Sequence, residues 1–261
     1  MTGELTLTSD QTITAVVHAR WATPISVTGQ GSWAGAPYWL DDTEQRRLAG
    51  LGDPELRAGF STARLLMRAL VAELAEVEPS TIRFGYTCAH CGEAHGRPVV
   101  RAPEVAARFH VSLSHARARV VVAATEAGPV GVDVERTAAV DFAGFDSVAL
   151  TAAERDRLAA LDPAERSLAR AMTWVRKEAL LKATGRGLMV EPSQVELSEA
   201  SARFHDLRVG PGFAGALALL TDRPTRLSAR DVTGEVTGEV SGELPAGRAG
   251  PVRATTGAAG D

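Results

Sequence analysis

Lys177, Glu178 and Lys182 place one carboxylate and two ammonium groups within six residues of an apolar-periodic segment that ends at Gly185. Glu178 and Lys182 are four apart, so in a helix they share a face about one turn from each other. Trp174, Leu181 and the neighbouring alanines can pack behind that face. Such a face can hold a metal ion and a phosphate side by side. Upstream, Asp133 and Glu135 are two apart in the run Gly131-Val132-Asp133-Val134-Glu135. On a strand both carboxylates point one way while Val132 and Val134 point the other. Like charges so close repel unless a cation lies between them, and hard oxygen ligands suit Mg²⁺, with Glu178 as a third ligand. Taken alone, each motif is more commonly a solvated strand edge or an exposed helix charge; their co-occurrence points to a site.

The elements that must position these groups are legible in part. Asp53-Pro54 opens a helix, with Asp53 as N-cap, and apolar residues at Phe60, Ala63, Met67, Leu70 and Leu74 carry it to about Ala75. Arg64 and Arg68 flank that stripe and read as structural, their long stems covering apolar surface. Thr151 and Glu154 form a capping-box pattern, and Asp162-Pro163 opens the longer helix that carries Glu178 and stops at Gly185. Strands are expected around Val16-Val17 and over 82–86, 109–113, 119–124, 130–135, 194–197, 204–207 and 213–220. A helical segment followed by strands thus occurs twice. The expected architecture is α+β, with two similar halves related by a pseudo-twofold axis and the chemistry between them: residues 1–127 as the N-terminal half and 128–230 as the C-terminal half with the acidic motifs. Residues 231–261 contain three short repeats with Gly-Glu and no aromatic residue, and are expected to form a disordered tail.

With 45% hydrophobic and 23% charged residues, the chain is ordinary for a globular protein. A formal net charge of −4 argues against bulk nucleic-acid binding. There is no apolar run of about 18 residues to span a membrane, and the first ten residues lack the pattern of a secretory signal, so a cytoplasmic protein is expected. The two cysteines, Cys88 and Cys91, are too few and too close for a disulfide framework. With His90 and His95 they resemble part of a zinc knuckle, although a second ligand pair is missing. The plainer reading is a tight loop of reduced thiols that positions Arg97.

Three motifs in order resemble signatures of the Sfp-type 4′-phosphopantetheinyl transferases: Gly96-Arg97-Pro98; Ser114-His115 followed by Gly131 to Glu135; and the W-x-x-K-E-x-x-x-K pattern of Trp174, Lys177, Glu178 and Lys182. The resemblance covers roughly residues 40–220. It implies transfer of 4′-phosphopantetheine from coenzyme A to a serine of an apo acyl- or peptidyl-carrier protein, Mg²⁺-dependent, by a monomer. It further implies that Asp133, Glu135 and Glu178 hold the metal and that Lys177 and Lys182 face the phosphates. By the same resemblance Glu178 would double as general base, His115 would contact a coenzyme A phosphate, and Ser114 would lie on the adenine side. Arg97 and Arg47 belong to the 3′-phosphate region, with Arg57 as a substitute because Glu44 replaces a basic neighbour of Arg47. The stretch 140–150, with Phe142 and Phe145, is the expected carrier-docking strip. The alternative is a non-catalytic coenzyme A or nucleotide-binding protein.

Overall fold

A computed structural model describes residues 14–25, 39–87, 91–93 and 96–237. The described chain begins with β1 (Ala15–Ala22), followed by α1 (Asp42–Gly50), α2 (Pro54–Ala75), β2 (Arg83–Gly85), β3 (Val99–Ala102), β4 (His110–Ala116), β5 (Arg119–Thr125) and β6 (Val130–Arg136). It continues through α3 (Phe145–Ala149), α4 (Ala152–Ala159), α5 (Pro163–Thr184), β7 (Arg203–Asp206), β8 (Phe213–Leu219), β9 (Thr225–Asp231) and α6 (Thr233–Thr237). The expected α+β class is observed.

The long helices begin and end where their caps dictate. The Asp53 carboxylate accepts the Glu55 amide, Pro54 fills the first turn, and α2 stops at Glu76 in the left-handed region. Asp162 accepts the Ala164 amide and α5 stops at left-handed Gly185, where a glycine has no Cβ to clash. Thr151 and Glu154 form the expected capping box on α4. A second capping box, Asp41 with Glu44, opens α1, an element the sequence pattern did not reveal.

Strand alternation divides the core into layers. The first sheet has the order β2-β3-β4-β5-β1-β9, and the second β6-β8-β7. Val120, Val122 and Ala124 face α2, packing with Leu66, Met67 and Leu70. Val121 and Ala123, on the opposite face of β5, pack with Val17 and Ala19 against Val130, Val132, Val134, Leu217 and Leu219 of the second sheet. The far face of that second sheet, Ala214 and Ala216, receives Ala171 and Val175 of α5. Helix, sheet, sheet and helix therefore stack in four layers, each strand presenting alternate residues to two neighbours.

Two expectations are corrected, and one strand is new. Residues 194–197 form no strand: they lie across the short 3₁₀ turns Pro192–Gln194 and Leu197–Glu199. β9, unforeseen, runs parallel to β1 and completes the first sheet from the C-terminal side. The expected tail at 231–261 is not disordered over 231–237. The Val232 amide donates to the Trp21 carbonyl at 2.9 Å, and Val232 and Val236 are buried in the core under α2. Two apolar side chains at i and i+4 seat α6, and the Thr23 amide donates to the Thr233 hydroxyl at 3.1 Å. The remainder of that expected tail, 238–261, lies outside the described residues, as do Cys88, His90 and His95 of the suggested zinc loop.

Candidate active site

β6 is the floor of the site. Val130, Val132 and Val134 fill the space between sheets, which leaves Gly131 and Asp133 on the face turned to α5. At Gly131 the helix backbone rides directly on the strand. A Cβ there would stand 1.9 Å from the Ala179 carbonyl oxygen and 2.6 Å from the Ala183 nitrogen. Only glycine permits that approach, and it brings the turn carrying Glu178 and Lys182 onto Asp133.

Asp133 is buried, and its Oδ1 accepts from Lys182 Nζ at 2.6 Å and from Ser114 Oγ at 2.6 Å. Lys182 also donates to the Val132 carbonyl at 3.2 Å. Ser112 Oγ accepts the Val132 amide at 3.0 Å, so β4 is tied to β6 at two successive alternate positions. Charge-assisted bonds of this kind are short and fix the carboxylate's orientation. Glu178 lies beside this pair without sharing it: its Oε1 is buried and has no hydrogen-bond partner. Burial pushes the Glu178 pKa up, Asp133 adds to the rise, and Lys182 opposes it.

Across from the carboxylates stand His115 and two arginines, Arg47 and Arg64. His115 projects from β4 to the side opposite Ser114, near Gly59 of α2. Crowding by protein atoms, then Lys182, Arg64 and Arg47, push its pKa down, with Asp133 opposing. Arg47 lies over the Phe60 ring at 5.6 Å, and Arg64 over both Phe60 and Tyr86 at 5.1 and 4.3 Å. Burial pushes Arg64 down, partly countered by Tyr86 and Glu44. Its nearest carboxylate oxygen, on Glu44, is 3.8 Å away. Glu44 itself is committed to Arg68 at 2.6 Å and to the Tyr86 hydroxyl at 2.8 Å. Arg64 is thus a stacked, under-compensated cation, which an anion would relieve. Its helical spacing read as packing alone; the clue was its i,i+4 relation to Phe60, which makes a stacking platform. Arg68 is structural as expected, fully buried against Glu44.

Several sequence assignments change. Lys177 is buried and its ammonium is spent on Glu154 Oε2 at 2.5 Å and the carbonyls of Pro192 and Ala149 at 2.7 and 2.9 Å, so it does not face a ligand. Arg57 donates to the Leu48 and Leu51 carbonyls, capping the end of α1 in place of the cleft. The Ser114 hydroxyl serves Asp133 and is not a free adenine contact. Glu135 shares a strand face with Asp133, but the strand is leaving the core there and the Glu135 carboxylate turns back onto the Arg136 amide at 2.7 Å. Among the described residues no three His, Cys, Asp or Glu side chains gather as a metal-ligand group. Asp133 and Glu178 are the pair that comes together. Arg97 is exposed and donates to the Ala183 carbonyl at 3.2 Å, at the last turn of α5. Of the expected docking aromatics, Phe145 is core and only Phe142 is exposed, joined edge-to-face through Phe145 to Trp174.

The orphaned oxygen of Glu178 next to buried Asp133 is a donor set of hard oxygens short of one cation, and Mg²⁺ commonly takes one or two carboxylates with phosphate and water completing its shell. Asp133 and Glu178 therefore fit that ion.

Fold and site together define an α+β protein whose acidic pair lies near arginines, an arrangement suited to a phosphorylated anion and a hard cation. Residues 129–226 match the family model described as the 4′-phosphopantetheinyl transferase superfamily. The chain is 38% identical to the 4′-phosphopantetheinyl transferase psf-1 of Bacillus pumilus over 97 residues, 37% of this chain and 39% of that relative. It is 24% identical to the 4′-phosphopantetheinyl transferase HetI of a Nostoc species over 162 residues, 62% of this chain and 65% of that relative. The chain thus spans less than two thirds of either relative's length. The resemblance read from the three motifs is borne out. The family match contains Asp133, Lys177, Glu178 and Lys182, whereas Arg47, Arg64 and His115 lie before it.

Proposed function

We propose that this protein transfers 4′-phosphopantetheine from coenzyme A to a serine of an apo acyl- or peptidyl-carrier protein, giving holo carrier protein and adenosine 3′,5′-bisphosphate. The observation that carries the reading is the meeting of Asp133, Lys182 and unpartnered Glu178 with the Arg47, Arg64 and His115 cluster. In the reaction, the serine Oγ bonds to the β-phosphorus of coenzyme A. The bond from that phosphorus to the bridging oxygen breaks, and 3′,5′-ADP leaves with the electron pair. Asp133 and Glu178 would hold Mg²⁺, which when bound neutralises charge on the pyrophosphate oxygens. Lys182, fixed by Asp133, stands ready to stabilise the phosphoryl charge where it grows. Glu178 takes the serine proton on the carboxylate oxygen left clear of the metal. Arg47, Arg64 and Arg97 supply the positive field for the 3′-phosphate side of coenzyme A, and His115, held toward its neutral form, offers a ring N–H beside them.

We read α2 on the first sheet and α5 on the second as the two related halves, with the cleft where β4 and β6 meet. The exposed Phe142 is the anchor we assign to the carrier protein. The protein acts as a monomer in the cytoplasm; no described helix is long and apolar enough to cross a membrane. Incubation with coenzyme A, Mg²⁺ and a panel of apo carrier proteins tests the reading by mass spectrometry of the carrier. Coenzyme A binding with no carrier in the panel modified would favour the non-catalytic alternative.

A further inference from the structure

Lys177 is adjacent to Glu178 in sequence, and its surroundings give it a role that no phosphate contact requires. We infer that Lys177 is a positioning residue: its three-way clamp sets the rotation of α5 and so aims Glu178 at Asp133. This rests on the transferase reading for its consequence in catalysis.

The three acceptors come from three separate segments. Ala149 ends α3, Glu154 sits in the first turn of α4, and Pro192 opens the second 3₁₀ turn after α5. An ammonium has three donors that point in three directions, and here each has its own acceptor. A planar guanidinium could not meet the same three points. Glu154 is itself held, accepting the Thr151 amide at 2.9 Å, and the Thr151 hydroxyl donates to Glu196 at 2.8 Å. The clamp therefore joins α5 to a braced shell of α3, α4 and the 192–196 turn. On its other side, α5 is fixed by the Gly131 contact and the Lys182–Asp133 bond. Residues 177 and 178 are about 100° apart around the axis, so holding one fixes the azimuth of the other. Side-chain tips lie about 5–6 Å from a helix axis, and a roll of roughly 10° would carry the Glu178 carboxylate about 1 Å. A displacement of that size costs up to about a hundredfold in rate.

The test uses the paired variant Lys177→Met/Glu154→Gln in the full chain. It removes both charges together, so neither is left buried alone, and a glutamine oxygen can still accept the Thr151 amide. Three quantities are read: coenzyme A affinity by calorimetry without metal, kcat and KM for carrier modification, and amide hydrogen exchange along α5. The clamp predicts coenzyme A affinity and KM within about twofold of the parent, kcat lower by about tenfold or more, and faster exchange across residues 177–184. Coenzyme A affinity weakened by about tenfold or more would make Lys177 a phosphate ligand and overturn the inference, as would an unchanged kcat. Should the parent modify no carrier, the transferase reading fails separately, and unchanged α5 exchange in the variant then overturns the clamp. If the paired variant does not fold, Lys177→Arg replaces it. A phosphate ligand would tolerate that change, whereas the clamp predicts the same loss of kcat with coenzyme A affinity kept.

Discussion

Replacing Gly131 by alanine probes the contact on which the whole site depends. The added Cβ would lie 1.9 Å from the Ala179 oxygen, where ordinary van der Waals contact begins at 3.4 Å. The atoms it meets, the Ala179 oxygen and the Ala183 nitrogen, belong to the α5 backbone, so no side chain can swing aside. The helix must withdraw from β6 by roughly 1.5 Å, or the strand must buckle. The Lys182–Asp133 contact, 2.6 Å in the parent, would stretch to roughly 4 Å, past hydrogen-bonding range. Overpacking of this kind costs about 1–3 kcal/mol, and a backbone clash belongs at the upper end. For a domain of this size that is a fall in Tm of roughly 5–10 °C. Misplacing Glu178 and Lys182 together should lower kcat by about a hundredfold or more. Thermal unfolding and carrier-modification kinetics measure both effects, with Gly52→Ala as the control, because a Cβ at Gly52 meets nothing within 4 Å. A Gly131→Ala protein with the parent's Tm and turnover would refute the claim that close approach of α5 to β6 assembles the site.

Glu178→Gln should lower turnover by about 10²-fold or more while leaving Tm equal or higher, since it neutralises a buried carboxylate oxygen that has no partner; a marked fall in Tm would mean the ionised group is stabilising. A chain ending at Asp231 loses Val232 and Val236 from the core, each worth roughly 1.5–3 kcal/mol, and should melt several degrees lower; an unchanged Tm would show α6 to be dispensable. His18, His110 and His205 all have pKa values pushed down, chiefly by burial. The unfolded chain, titrating near the ordinary value of about 6.5, takes up protons first, so stability present above that pH is lost as pH falls through the depressed folded-state values. Tm should therefore drop on acidification from neutrality, with a shallower slope when all three are changed to glutamine; equal slopes would remove these three histidines from the cause.

What could be read from the sequence was whatever local chemistry determines. Asp53-Pro54, Thr151 with Glu154, and Asp162-Pro163 name helix starts because the capping groups lie within three residues of the backbone amides they satisfy. The alternation at 130–135 correctly set Asp133 apart from the valines, because side-chain period in a strand is fixed. Partnership across the fold was not readable. Lys177 and Lys182 look alike in the motif, yet one is sealed against Glu154 and the other meets Asp133, a distinction made by α3, α4 and β6. Arg64 read as packing because nothing local places Tyr86 on its far face. Periodicity put Glu135 on the face of Asp133 but does not report that its carboxylate turns back onto the Arg136 amide. β9 and α6 escaped notice for a related reason: β9 is largely polar, and it is seated by pairing with β1 from the opposite end of the chain.

The most direct measurement is the mass of an apo carrier protein after incubation with coenzyme A, Mg²⁺ and either the parent or Asp133→Asn, with free adenosine 3′,5′-bisphosphate quantified alongside. The account predicts that the parent adds one phosphopantetheine to the carrier serine and releases one equivalent of the bisphosphate, and that Asp133→Asn does neither at a comparable rate. Equal modification by both proteins would contradict the assignment of the β6–α5 cleft as the place where the phosphoryl group is transferred.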